Sequence, residues 1–105
     1  MAEQGKPTKI SFIYSNPTDP DAFEAAYAEQ LVLARKLPGL TRLQTSKVWP
    51  KEDGTATPAH RTLDLYFDTY DDASAAVATP EAGEFFQQLT ATGTSFTGLF
   101  SDIEQ

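Results

Sequence analysis

Thr8-Lys9-Ile10-Ser11-Phe12-Ile13-Tyr14-Ser15 is the stretch on which the fold turns. Ile10, Phe12 and Tyr14 alternate with Lys9, Ser11 and Ser15, which is the two-residue period of a strand with one buried face. Ile13 breaks the polar side, so the second face is not given wholly to water. Downstream, Asn16-Pro17-Thr18-Asp19-Pro20 forms a turn into a helix. Asp19 suits the N-cap and Pro20 the first helical position, while Asp21 and Glu24 complement the positive end of the helix dipole. Phe23, Ala26, Tyr27, Leu31, Ala34 and Leu37 recur at three- and four-residue spacing and predict a helix to about Leu37. Arg35 and Lys36 fall in its last turn, and Pro38-Gly39 stops it.

Leu40–Trp49 reads as a second strand, with Arg42, Gln44, Ser46 and Val48 on one side and Leu43, Thr45, Lys47 and Trp49 on the other. Pro50–His60 is a turn-rich connection. Arg61–Asp68 is a third strand, setting Leu63, Leu65 and Phe67 against Thr62, Asp64 and Tyr66. A second helical region starts near Thr69 and restarts at Thr79-Pro80, burying Phe85, Phe86 and Leu89. Ser95–Ile103 is a last strand, with Phe96, Gly98 and Phe100 opposite Thr97, Leu99 and Ser101. The order β-α-β-β-α-β is the ferredoxin-like arrangement, an α+β fold in which two helices cover one face of a four-stranded antiparallel sheet. The other face carries Ile13, Val48, Tyr66 and Leu99, a set too apolar to leave in water. A second copy of the sheet is the simplest cover, so a homodimer is expected.

The whole is 105 residues, 40% hydrophobic and 22% charged, the size and mixture of one globular domain. Residues 1–7 read as a flexible leader and residues 8–105 as a single domain. With no cysteine, disulfides, iron–sulfur clusters and thiolate metal sites are excluded. No apolar run follows the charges of the first six residues, and no stretch approaches the ~18 apolar residues of a membrane span. A soluble, cytoplasmic protein away from membranes is expected. The formal net charge is -7, and every Lys and Arg lies at or before Arg61, with only acids beyond. An acidic chain without a basic run is a poor partner for nucleic acid; a solvated acidic face is the plain reading, and steering of a cationic partner the sharper one.

Two segments carry a family resemblance. Asp19-Pro20-Asp21-Ala22-Phe23 followed by Leu33-Ala34-Arg35-Lys36-Leu37-Pro38-Gly39-Leu40 is similar to the first helix of EthD-family proteins. Leu65-Tyr66-Phe67-Asp68-Thr69, then Ala78-Thr79-Pro80-Glu81-Ala82-Gly83, resembles the family's third strand and the turn after it. The likeness runs from about Lys9 to Ile103. It implies a dimeric α/β barrel, two sheets packed face to face around a cleft, and a helper of an oxidising system; related domains are proposed cyclases or dehydratases of polyketide and aromatic-compound pathways. Many relatives carry a His eight residues before the Pro-Gly pair, where this chain has Gln30. Histidine titrates near neutrality; glutamine only donates and accepts hydrogen bonds.

Candidate residues follow. Gln30 interrupts an apolar stripe and must be hydrogen-bonded, either to backbone or to a ligand. His60, the only histidine, reads as an exposed loop residue, able to act as acid or base only if its loop folds over the cleft. Asp64 and Tyr66 share a strand face. With Ser11, Ile13, Arg42, Gln44 and Thr97 they fit either a small-molecule pocket or a dimer-interface network in which Asp64 pairs with Arg42. His60, Asp64 and Tyr66 are the candidates for catalysis. Ser11, His60 and Asp64 match a triad in composition, without a supporting motif. Trp49 and the aromatics Phe12, Tyr14, Phe67, Phe85, Phe86, Phe96 and Phe100 are expected mostly in the core, with Trp49, at the end of its strand, in core or interface packing or at a cleft edge. Phosphate loops, dinucleotide fingerprints and paired metal carboxylates do not occur, so neither metal nor cofactor is expected. Two functions stay open: a small-molecule-binding or auxiliary protein of an oxidative or aromatic degradation or biosynthetic pathway, or a cofactor-independent cyclase, dehydratase or monooxygenase acting on a hydrophobic cyclic substrate.

Overall fold

A computed structural model describes residues 7–104, so most of the leader expected over 1–7 lies outside the described residues. Seven elements follow one another: β1 (Thr8–Tyr14), α1 (Pro20–Ala34), β2 (Leu40–Lys47), β3 (Arg61–Phe67), α2 (Tyr70–Ala76), α3 (Pro80–Ala91) and β4 (Phe96–Asp102). The strands form one antiparallel sheet in the order β2-β3-β1-β4. This is the ferredoxin-like arrangement read from the sequence, with three helices instead of two. The restart at Thr79-Pro80 is a full break: Thr69 caps α2 through the amide of Asp72, and Thr79 caps α3 through that of Ala82.

Alternation in β1 and β3 sorts the residues as expected. Ile10, Phe12, Tyr14, Leu63, Leu65 and Phe67 are buried beneath the helices, while Lys9, Ser11, Ile13, Thr62, Asp64 and Tyr66 face the other way and are partly exposed. The core is aromatic at its centre. The Phe12 ring stands 5.4 Å from that of Phe85, 6.1 Å from Phe86 and 6.2 Å from Phe96, and edge-to-face pairs of this kind add about 0.5–1.5 kcal/mol each beyond burial.

The structure corrects several boundaries. Helix α1 ends at Ala34, three residues short of Leu37, and Arg35 is its C-cap, not part of its last turn. Pro38 disfavours helical geometry at Leu37, so the chain leaves through a short turn and reverses at Gly39, whose φ of 79° suits a residue without Cβ. Leu37 stays buried. The inner stripe of α1 is Phe23, Tyr27, Gln30 and Ala34, with Leu31 only half-buried. Strand β2 stops at Lys47, before Val48 and Trp49, and shifts register between Leu40 and Arg42.

Two aromatics are not core residues. Trp49 is 86% exposed and Phe100 45% exposed. Alternation places Phe100 correctly on the helix side of β4, where the Tyr70 ring of α2 stands 5.6 Å away, but on this edge strand it stays partly exposed. Trp49 lies beyond the end of its strand, where alternation no longer applies.

Phe85 is buried against Phe12 and Phe86. Phe85→Ala should lower the unfolding free energy by about 3–5 kcal/mol in urea titrations; a change under about 1 kcal/mol would mean that α3 does not seat there.

Candidate functional site

The sheet presents two chemically different faces. On the open face, register sets Gln44, Asp64, Ser11 and Leu99 on one rung, Arg42, Tyr66, Lys9 and Ser101 on the next toward one end, and Ser46, Thr62, Ile13 and Thr97 toward the other. The polar members are engaged with one another. The Ser11 hydroxyl donates to Asp64 Oδ1 at 2.5 Å, and Lys9 Nζ lies 3.9 Å from the same oxygen. The Tyr66 hydroxyl donates to Gln44 Oε1 at 2.8 Å, and the Arg42 guanidinium lies over the Tyr66 ring, 5.1 Å from its centroid. Within the chain Asp64 and Arg42, paired in the dimer-interface alternative, do not meet: Asp64 lies on the rung of Ser11, and Arg42 one rung away beside Tyr66. Ile13, Leu99 and Thr97 share this face, and Leu99 is 47% exposed.

The covered face holds Gln30. Its side chain is fully buried, and its Oε1 accepts a hydrogen bond from the Tyr14 hydroxyl at 2.9 Å, while its Nε2 has no partner among the described residues. Burial, reinforced by the nearby Tyr27, holds the Tyr14 hydroxyl neutral far above the ordinary phenol range. The pair is therefore a hydrogen-bonding unit at any ordinary pH. Gln30 satisfies half of what burial asks of an amide. It also stands on the opposite side of the sheet from Ser11, Ile13, Arg42, Gln44, Tyr66 and Thr97, so the residues named from the sequence divide between two places.

An apolar cavity of about 240 Å³ opens on the covered face beside β4, lined by Ile10, Phe12, Val77, Phe86 and Phe96, with Gly98 and Phe100 at its outer side. Gly98 keeps it open: a Cβ there would stand 3.3 Å from the Phe12 ring. Sequence reasoning missed this cavity. The available signal was a glycine in mid-strand between Phe96 and Phe100, a place where something approaches the backbone closely.

His60 is not the exposed loop residue expected. Its side chain is 16% exposed, its ring packs edge-on against Phe23, and Nε2 lies 2.9 Å from Glu24 Oε2. Arg61 grips the same carboxylate through Nε and Nη2 at 2.7–3.1 Å and lies over the Tyr27 ring. This cluster ties the start of β3 to α1. It puts His60 on the helix side, apart from Ser11 and Asp64, so the three do not form a triad.

Fold and cavity together define a ferredoxin-like α+β protein with a small apolar site and an uncovered sheet face. No family model matches the chain. It is 30% identical over 102 residues to an uncharacterized 11.0 kDa protein of the thcB-thcC intergenic region of Rhodococcus erythropolis, covering 91% of this chain and 94% of that one. The chain belongs to the family of that Rhodococcus protein. Its fold is that of an EthD family protein from Bacillus halodurans, with a TM-score of 0.86, 21% identity, and 92% of this chain and 98% of the other covered; the resemblance to the EthD family drawn from the sequence is borne out. It is also similar to SnoaB, a cofactor-independent oxygenase from Streptomyces nogalater (TM-score 0.68, 16% identity, 95% of each chain). A dimeric ferredoxin-like protein of unknown function from Thermobifida fusca gives a TM-score of 0.70 at 15% identity over 95% of this chain and 93% of that one. Among the described residues no helix is long and apolar enough to cross a membrane.

The hydrogen bonds from Arg61, helped by His60, hold the Glu24 carboxyl down at about 2, from 4.5. A carboxylate whose pKa falls on folding stabilises the fold above its unfolded value and loses that contribution as pH drops through its folded value. Stability should therefore decline between pH 4.5 and about 2. Urea midpoints measured across that window should fall less steeply in Glu24→Gln, whereas parallel curves for parent and variant would remove Glu24 from this role. The contribution is modest, because the carboxylate is partly in solvent.

Proposed function

We propose that residues 8–105 act as one domain that binds a small hydrophobic molecule as a cytoplasmic homodimer, serving an oxidative or aromatic degradation or biosynthetic pathway as an auxiliary protein. The observation that carries the reading is the cavity beside β4. It lies just below the roughly 300–1,000 Å³ of common ligand sites, and the side chains that line it are all hydrocarbon. Such a lining selects an apolar, compact guest by excluding water. Gln30 is not among the residues that line this cavity; it stays a proposed ligand contact for its buried amide, whose Nε2 has no partner among the described residues.

Support for the homodimer comes from the open face. Ile13, Tyr66 and Leu99 face away from the helices, and a second sheet is the cover that costs the chain no further element. In the dimer, Ser11, Ile13, Arg42, Gln44, Tyr66 and Thr97 would line the cleft between the sheets. The likeness to a dimeric protein and to a cofactor-independent oxygenase agrees with this reading at the level of the fold.

Binding is preferred to catalysis because the cavity's lining residues carry no titrating side chain. A cyclase, dehydratase or monooxygenase would need His60, Asp64 or Tyr66 at the ligand. His60 is held by Glu24, and the other two lie on the open face.

Native mass spectrometry of freshly purified protein should show a dimer with a small apolar adduct. Titration with 2-naphthol should give saturable binding, weakened about tenfold or more in Gly98→Leu, which fills the cavity, and in Gln30→Leu, which removes the donor. Binding unchanged in both folded variants would put the ligand elsewhere, and a parent chain with neither adduct nor binding would overturn the reading.

A further inference from the structure

We infer that the guest of the cavity beside β4 is a hydrophobic amine: an aryl body fills the cavity, and a protonated amino group on a short tether sits at the mouth, against the Tyr70 and Phe100 rings and the Asp102 carboxylate. The inference rests on the small-molecule reading above and deepens it by naming the chemical class and the residues that select it.

Four of the lining residues are phenylalanines, Phe12, Phe86, Phe96 and Phe100. Phenyl walls receive an aryl guest edge to face. A cavity of about 240 Å³ has room for a compact ring system and little else, so a substituent on that ring projects past Phe100 toward water. The first group it meets is Tyr70, whose ring stands 5.6 Å from that of Phe100; both residues are about half-exposed. Aromatic faces left open beside an apolar cavity attract a cation through their π-systems.

Charge at this mouth has one sign. Alternation puts Asp102 on the same side of β4 as Phe100, about 7 Å further along the strand. Thr8 fixes that side: it is buried, stands opposite Asp102 in the register, and donates its hydroxyl to Asp102 Oδ1 at 3.2 Å. Among the described residues no Lys or Arg pairs with the Asp102 carboxylate. The walls formed by Val77, α3 and β4 all lie beyond Arg61, where the chain has acids and no base. The remaining wall is β1, whose Lys9 faces the open side, 3.9 Å from Asp64. An anionic end would be repelled here, and a neutral hydroxyl would find one acceptor. An ammonium would gain the carboxylate and the rings together. Inside the cavity the same ammonium would lose its hydration without a partner, which sets the guest's direction: ring inward, amine outward.

The test is calorimetric titration of the full chain with naphthylethylamine and its neutral counterpart naphthylethanol, at neutral pH and low ionic strength, with circular dichroism to confirm folding. The amine should bind the parent about tenfold more tightly than the alcohol. Asp102→Asn keeps an acceptor for Thr8; it should bring the amine down to the alcohol's affinity and leave the alcohol's unchanged. Tyr70→Leu should weaken the amine more than the alcohol. Glu52→Gln removes the same charge from the connection after β2, at the opposite edge of the sheet, and should change neither. Attraction by the net charge of -7 would instead respond equally to both charge substitutions. Equal affinity of amine and alcohol, or an advantage that survives Asp102→Asn, would overturn the amine assignment and leave the cavity reading standing. Failure of both probes to bind would overturn the cavity reading, and the assignment with it. If Asp102→Asn does not fold, added salt decides in the parent: the amine's advantage should shrink as screening rises, and an advantage indifferent to salt would overturn the assignment.

Discussion

A sheet has two faces, and this chain supplies cover for one of them. Everything else in the structure is arranged around that inequality. The strict two-residue period of β1 and β3 sends Ile10, Phe12, Leu63, Leu65 and Phe67 beneath α1, α2 and α3, where an aromatic cluster centred on Phe12 excludes water. The same period sends Ser11, Asp64, Tyr66 and Lys9 to the far side, where they must find one another. A one-residue slip of β1 against β3 would exchange the two sets, so register, core and site are one decision.

The open face shows how polar residues behave when no helix covers them. Asp64 collects the Ser11 hydroxyl and the Lys9 ammonium, and Tyr66 spends its hydroxyl on Gln44 while offering its ring to Arg42. Groups paired in this way can be brought against a second surface without leaving donors or acceptors stranded. They are less suited to seize a ligand, because any new hydrogen bond must first break an old one. Gln30 is the reverse case, a buried amide with one end satisfied by Tyr14 and the other unused.

The strands were legible because alternation is a local signal that burial on one face enforces residue by residue. The caps at Asp19, Thr69 and Thr79 were equally legible, since each places a side-chain oxygen over bare helical amides. What failed was whatever depends on distant neighbours. Trp49 and Phe100 have the composition of core residues, but one lies past its strand and the other on an edge strand, covered only in part. His60 has the sequence context of a loop, yet Glu24, 36 positions earlier, faces it across the junction of α1 and β3. Asp64 and Arg42 are complementary in charge and share a face, but Ser11 lies on the rung of Asp64 and Tyr66 on that of Arg42. The cavity was the least legible feature, being made by what Gly98 lacks.

That absence links the edge strand to the proposed role. A glycine inside a strand weakens it and packs nothing. A Cβ there would stand 3.3 Å from the Phe12 ring, which the surrounding aromatic cluster holds in place. The gap persists in the one part of the covered face where Phe96 and Phe100 flank it and Phe86 and Val77 roof it. An empty apolar gap forfeits the dispersion contacts of everything that lines it, and a hydrocarbon guest restores them. The weakest point of the β4 edge is thus the point at which a bound molecule would add most to the stability of the fold.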